Sequence, residues 1–100
     1  DEYVLILRGK VDGQVINEGG EGVIIESKNR TKKLFKTLRV YEQVQLEAYM
    51  FLTEFKKALL TEHYNDTEFC IEYDHDEEFW DQCLQKTIKF MDLHIKPYLK

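Results

Sequence analysis

Glu26 and Lys28 close an apolar run, Gly22-Val23-Ile24-Ile25-Glu26-Ser27-Lys28, with a carboxylate, a spacer and an amine. Side chains alternate along a strand, so Ile24, Glu26 and Lys28 share one face while Val23, Ile25 and Ser27 share the other. A carboxylate and an ammonium are thereby held roughly 7 Å apart along the strand. Upstream, Gly9-Lys10-Val11-Asp12-Gly13 sets a second carboxylate on the preceding extended segment. Two carboxylates suit a hard divalent cation, and an ammonium beside them can steer a water proton or stabilise anionic charge. A plain cross-strand ion pair is the simpler alternative. Charges ending so apolar a strand are partly desolvated, however, which is costly unless they are compensated.

Downstream, Gln45-Leu46-Glu47-Ala48-Tyr49 opens a helix. Tyr41, Val44, Ala48, Phe51, Leu52, Phe55 and Leu59 recur at three- and four-residue steps, which predicts a helix from about 38 to 62 with Ala48 central on its buried stripe. At 100° per residue, Gln45 then lies about 60° and Tyr49 about 100° from that centre, while Gln43 falls on the solvated side. An amide on the shoulder of a buried face needs hydrogen-bond partners, and a neighbouring site would supply them.

The ordered set of Asp12, then Glu26-Ser27-Lys28, then Gln45-x-x-x-Tyr49 resembles the PD-(D/E)xK nuclease superfamily. Within it, the set is similar to the RecB-like and lambda-exonuclease-like (YqaJ-type) DNA nucleases, over roughly residues 3–55. The resemblance implies a restriction-endonuclease-like core and metal-dependent phosphodiester hydrolysis on DNA, by an exonuclease or end-processing enzyme of replication, repair or recombination. It implies Mg²⁺ or Mn²⁺ held by Asp12, Glu26 and the Ser27 carbonyl. Lys28 would orient or deprotonate the attacking water or stabilise the transition state, with Gln45 and Tyr49 positioning water, metal shell or phosphate. Relatives usually carry a helix before the first strand that completes the site. The chain starts at the first strand, so that helix is expected upstream in a longer parent or missing from a minimal domain. A catalytically idle domain of this fold that binds nucleic acid or protein, and an RNA endonuclease of the same superfamily, are the competing readings.

The elements that must position these residues read as α/β, a mixed central sheet flanked by helices. Tyr3 to Ile16 reads as one bent strand or two short ones, Asn17 to Gly22 as a glycine turn, Val23 to Asn29 as the returning strand. Glu68 to Tyr73 alternates as a strand. Asp74-His75-Asp76-Glu77-Glu78 caps a last helix over about 76–98, whose inner stripe is Trp80, Leu84, Thr87, Met91 and Ile95. Both helices are expected to pack on the sheet.

A chain of 100 residues, 43% hydrophobic and 33% charged, fits one globular domain, 1–100, and argues against disorder. No apolar run approaches a membrane span, so membrane partners are not expected. Cys70 and Cys83 are too few for a disulfide scaffold or an iron–sulfur cluster, and both read as buried small residues in a reduced, intracellular protein. The net charge of −5 is unevenly spread, because residues 1–50 hold eight acids and eight bases while 51–100 hold eleven and six. From Ser27 to Tyr41 there is no acid but there are Lys28, Arg30, Lys32, Lys33, Lys36 and Arg39. Arg30, Lys32, Lys33, Lys36 and Arg39, directly after the site, are the expected contacts to a DNA backbone.

Overall fold

The computed structural model of the protein describes residues 9–99. The glycine turn forms as expected. Gly20 takes φ of 83°, and Asn17 N–H donates to the Glu21 carbonyl at 2.8 Å. It joins β1 (Gly13–Ile16) to β2 (Gly22–Asn29) as an antiparallel hairpin, with Gly13 opposite Ile25. Residues 3–8 of the predicted first strand lie outside the described residues; within them the strand starts only at Gly13.

Next comes α1 (Val40–Thr53), which ends where Glu54 turns left-handed with φ of 64°. This corrects the predicted helix over 38–62. Its last third is instead a strand, β3 (Lys57–Tyr64), paired parallel to β2 with Ile24 opposite Ala58 and Glu26 opposite Leu60. A strand covered in the middle of a sheet reads as an apolar run, and Ala58-Leu59-Leu60 fits helical spacing equally well. β3 turns through Asn65, φ 53°, into antiparallel β4 (Thr67–Asp74), giving a mixed four-stranded sheet in the order β1-β2-β3-β4.

The buried centre is Ile24, Leu46, Met50, Ala58 and Leu60, with Val11, Leu38, Tyr49, Phe55, Ile71 and Tyr73 packed around it. The face of α1 turned to the sheet is therefore Glu42, Leu46, Glu47 and Met50 rather than the stripe through Ala48, and Tyr41 and Phe51 are exposed. Two fully buried glutamates hid this face from a hydrophobicity count, because each is matched by donors across the interface. Glu42 accepts from the Arg30 guanidinium at 2.9 Å. Glu47 accepts from Tyr73 Oη at 2.5 Å and Asp76 N–H at 2.7 Å, and lies 2.6 Å from His75 Nδ1. Burial and the Glu47 contact push the Tyr73 phenol up from its ordinary range. Gln43, expected in solvent, donates to Tyr73 Oη at 2.9 Å.

The last helix, α2 (Glu77–Phe90), starts on an Asp76 cap whose side chain accepts from Phe79 N–H at 3.0 Å. It widens into a π-helical stretch, Met91–Ile95, and ends in a 3₁₀ turn, Lys96–Leu99. It rests on α1, where Trp80 meets Phe51 with ring centroids 5.3 Å apart, and not on the sheet as expected. Thr87 on its expected inner stripe is exposed. Cys70 is exposed and Cys83 half-buried, which corrects their expected burial; both are free thiols. No helix among the described residues is long and apolar enough to cross a membrane.

Candidate active site

β2, α1 and β3 form a strand–helix–strand crossover, and the polar residues of β2 lie at its carboxyl end. In open α/β sheets that edge is where ligands gather. The apolar half of β2 anchors the strand in the core through Ile24, while Glu26 is buried at 4% exposure. Burial pushes the Glu26 carboxyl above the usual range, the nearby Asp12 charge adds to that, and Lys28 opposes it. Lys28 Nζ lies 3.1 Å from Glu26 Oε2 and donates to Gln45 Oε1 at 2.9 Å. Gln45 Nε2 in turn donates to Tyr49 Oη at 3.1 Å. From strand to helix this makes one unbroken line of contacts: Glu26, Lys28, Gln45, Tyr49.

Asp12 enters from the other side. β1 stops pairing at Gly13, so the preceding residue is free to turn its side chain onto the bare edge of β2. There Asp12 Oδ2 accepts from the Ser27 N–H at 2.9 Å. The N–H and C=O of one strand residue point to the same side, so the Ser27 carbonyl also faces the Asp12 edge. Glu26 Oε1 is buried without a hydrogen-bond partner. Among the described residues no three His, Cys, Asp or Glu side chains gather into a metal cage. What the site offers is a carboxylate pair, an orphaned buried carboxylate oxygen and a strand carbonyl. That donor set fits a hard divalent ion that keeps several waters.

Behind β2 stands an element whose strand character was not anticipated. Thr61 on β3 lies 3.1 Å from Ser27 Oγ, and its hydroxyl reaches the Glu26 carbonyl at 3.4 Å. A second cluster sits where β2 leaves the sheet. Arg30, grouped by sequence with the DNA-contact residues, turns its guanidinium inward to Glu62 at 2.7 Å and Glu42 at 2.9 Å. Glu62, fully buried, also accepts from Phe35 N–H at 3.1 Å and Lys36 N–H at 2.7 Å. Burial raises the Glu62 carboxyl, but the Lys36 N–H, the Arg30 guanidinium and the Phe35 N–H outweigh it and the net direction is down. Burial likewise lowers Arg30, and the two glutamates more than reverse it. The alternation of Ala58, Leu60 and Glu62 was the available signal for this cluster, and it was masked by the helical reading.

The segment pinned by Glu62 is the basic loop. It leaves Lys32, Lys33, Lys36 and Arg39 exposed between β2 and α1. Two guanidiniums, Arg30 and Arg39, cover the Phe35 ring at 4.3 and 4.4 Å.

No family model matches the chain, and no curated protein matches it. A solved structure described as SSO0001 superposes with a TM-score of 0.61 at 22% identity, over 80% of this chain and 39% of that one. The chain thus spans well under half the length of that neighbour. At this identity the likeness shows a shared α/β fold and nothing about activity.

Proposed function

We propose that the protein is a metal-dependent DNA nuclease with a restriction-endonuclease-like core of the PD-(D/E)xK kind. The observation that carries this reading is the convergence of Asp12, Glu26, Lys28, Gln45 and Tyr49 on one edge of the sheet. They come from three separate segments, and each touches or electrostatically senses the next. A fortuitous ion pair has no need of an amide and a phenol continuing the line.

Asp12, Glu26 Oε1 and the Ser27 carbonyl are the groups that would hold Mg²⁺ or Mn²⁺. Such an ion, when bound, polarises a phosphoryl oxygen and makes a water more acidic. Lys28 supplies fixed positive charge next to the forming pentavalent phosphorus, and its ammonium is kept in place by Glu26 and Gln45 rather than by solvent. Gln45 spends its carbonyl on Lys28 and its amide on Tyr49, so it transmits orientation from one to the other. The Tyr49 hydroxyl accepts from Gln45 and keeps its own hydrogen to donate to a phosphate or water. Lys32, Lys33, Lys36 and Arg39 extend the positive surface along the path of a DNA backbone.

The test is cleavage of end-labelled DNA with Mg²⁺ or Mn²⁺, repeated with EDTA and with Glu26→Gln. Cleavage that needs the metal and disappears with the variant supports the reading. A protein that binds DNA but neither binds Mn²⁺ nor cuts is an idle member of the fold, and a preference for RNA redirects the substrate.

A further inference from the structure

We infer that the chain pairs with a second copy of itself, the distal half of the last helix of each copy lying in the groove between α1 and α2 of the other. From Gln85 to Phe90 every residue of α2 is exposed. Among the described residues, the π-helical stretch and the 3₁₀ turn that continue α2 touch no strand and no helix besides α2 and each other. The molecule measures 52 × 36 × 22 Å, and its radius of gyration of 16.1 Å exceeds the roughly 13 Å of a compact chain of this length. The distal helix is an arm held away from the body.

The arm carries apolar surface with nothing over it. Ile88, Phe90, Leu93 and Tyr98 are 44, 56, 60 and 87% exposed. At 100° per residue, Ile88 and Met91 fall within about 40° of Leu84, so the stripe of Trp80 and Leu84 continues into the arm. Trp80 meets Phe51 of α1; further along, α1 has ended and the stripe is uncovered. A lone helix of this length is marginal in water, and exposed apolar side chains gathered on one mark a docking face.

A matching receptor lies on the same chain. Phe51, Leu52, Phe55, Trp80 and Leu84 line a groove of about 730 Å³ between the end of α1 and the first half of α2. Its rim carries Glu54, Glu77 and Asp81 against one lysine, Lys56, and its histidine, His75, is committed to Glu47. The arm has the opposite sign. Lys86, Lys89 and Lys96 face one acid, Asp92, which holds Lys96 at 2.9 Å. Among the described residues no ion pair engages Lys86, Lys89, Glu77 or Asp81.

One rotation satisfies both surfaces at once. Asp81 lies four residues before Gln85 and Lys89 four residues after it. A two-fold axis crossing α2 near Gln85 therefore sets the two helices antiparallel, with Lys89 of each copy near Asp81 of the other. The apolar side chains of the arm then enter the partner's groove, and each helix start lies by the opposite helix end, as the dipoles favour. Such an isologous contact closes at two subunits. A second copy is the occupant because every chain brings one apolar, acidic groove and one apolar, basic arm.

Sedimentation equilibrium tests the pairing. The wild type should approach twice its 12.0 kDa. Asp81→Lys and Lys89→Glu should each weaken the dimer about tenfold or more, because either one sets like charges together at both ends of the two-fold. An equimolar mixture of the two variants should recover the dimer, since every contact in the mixed pair again joins opposite charges. Leu93→Glu should leave a monomer with unchanged helix content by circular dichroism, because its stretch of helix touches neither α1 nor the sheet. A wild type that stays at 12.0 kDa at every concentration overturns the inference and gives the arm to another part of a longer parent. A mixture that fails to recover, or assembly beyond two copies, overturns the two-fold pairing. None of these outcomes bears on DNA cleavage, so the nuclease reading stands or falls separately.

Discussion

Lys28 Nζ donates to Gln45 Oε1 across 2.9 Å, linking the end of β2 to the second turn of α1. Its position between a buried carboxylate and an amide makes Lys28 the residue whose removal should separate chemistry from binding. Lys28→Ala should lower the cleavage rate about a hundredfold or more, the usual scale for one acid–base or charge-stabilising group. Mn²⁺ binding by calorimetry should persist, because an ammonium is not a ligand. Gln45→Ala should lose less, since the amide contributes orientation. Equal loss of metal binding in Lys28→Ala and Glu26→Ala would remove the distinction between the roles.

Metal binding should depend on pH in a definite direction. The Glu26 carboxyl is held above its ordinary range, so in the acid range it carries a proton that a cation must displace. Mn²⁺ affinity is therefore expected to rise with pH and level off above the elevated Glu26 value. Heats measured in buffers of different ionisation enthalpy will reveal the released proton; buffer-independent heats would show that Glu26 is already ionised.

The Arg30–Glu62–Glu42 cluster should dominate the local response to mutation. Breaking a buried pair from one side costs about 3 kcal/mol or more, because the remaining charge keeps its burial and loses its partner. Arg30→Met strands two fully buried carboxylates and should shift the urea midpoint more than Glu62→Gln, which keeps the shape and removes a charge. Similar midpoints for both variants would mean that water reaches the cluster.

Acid should weaken the fold through Glu62. Its carboxyl titrates below the ordinary value near 4.3, so as pH falls the unfolded chain takes up the proton first. The stabilisation is complete above the unfolded value and is lost as pH drops through the folded one. Glu26 runs the other way: its share is present at low pH and fades as pH rises through its raised value. Urea midpoints across the acid range should fall steeply for the wild type and less steeply for Glu62→Gln.

DNA affinity should follow the loop. Each phosphate neutralised on duplex DNA contributes about 0.9 to the slope of log affinity against log salt. Reversing Lys32 and Lys33 should flatten that slope, whereas Arg30, whose guanidinium is engaged internally, should matter through stability alone. An unchanged slope in the double reversal would direct attention to another surface.

Local chemistry made the hairpin, β2, β4 and the Asp76 cap readable, because glycine turns, strand alternation and acids at a helix start act over a few residues. Residue type and order also marked Asp12, Glu26–Lys28 and Gln45–Tyr49, and the fold brings these segments into contact. Tertiary structure decided what depended on partners far along the chain. Lys57–Tyr64 became a strand because β2 and β4 were there to pair with it on both edges. The inward face of α1 carries Glu42 and Glu47 because Arg30, Tyr73 and the Asp76 N–H offset their burial. Arg30 left the basic surface for the same reason. A buried charge is tolerable only where its counterpart is folded against it, and pairings of that kind span too much sequence for local patterns to show.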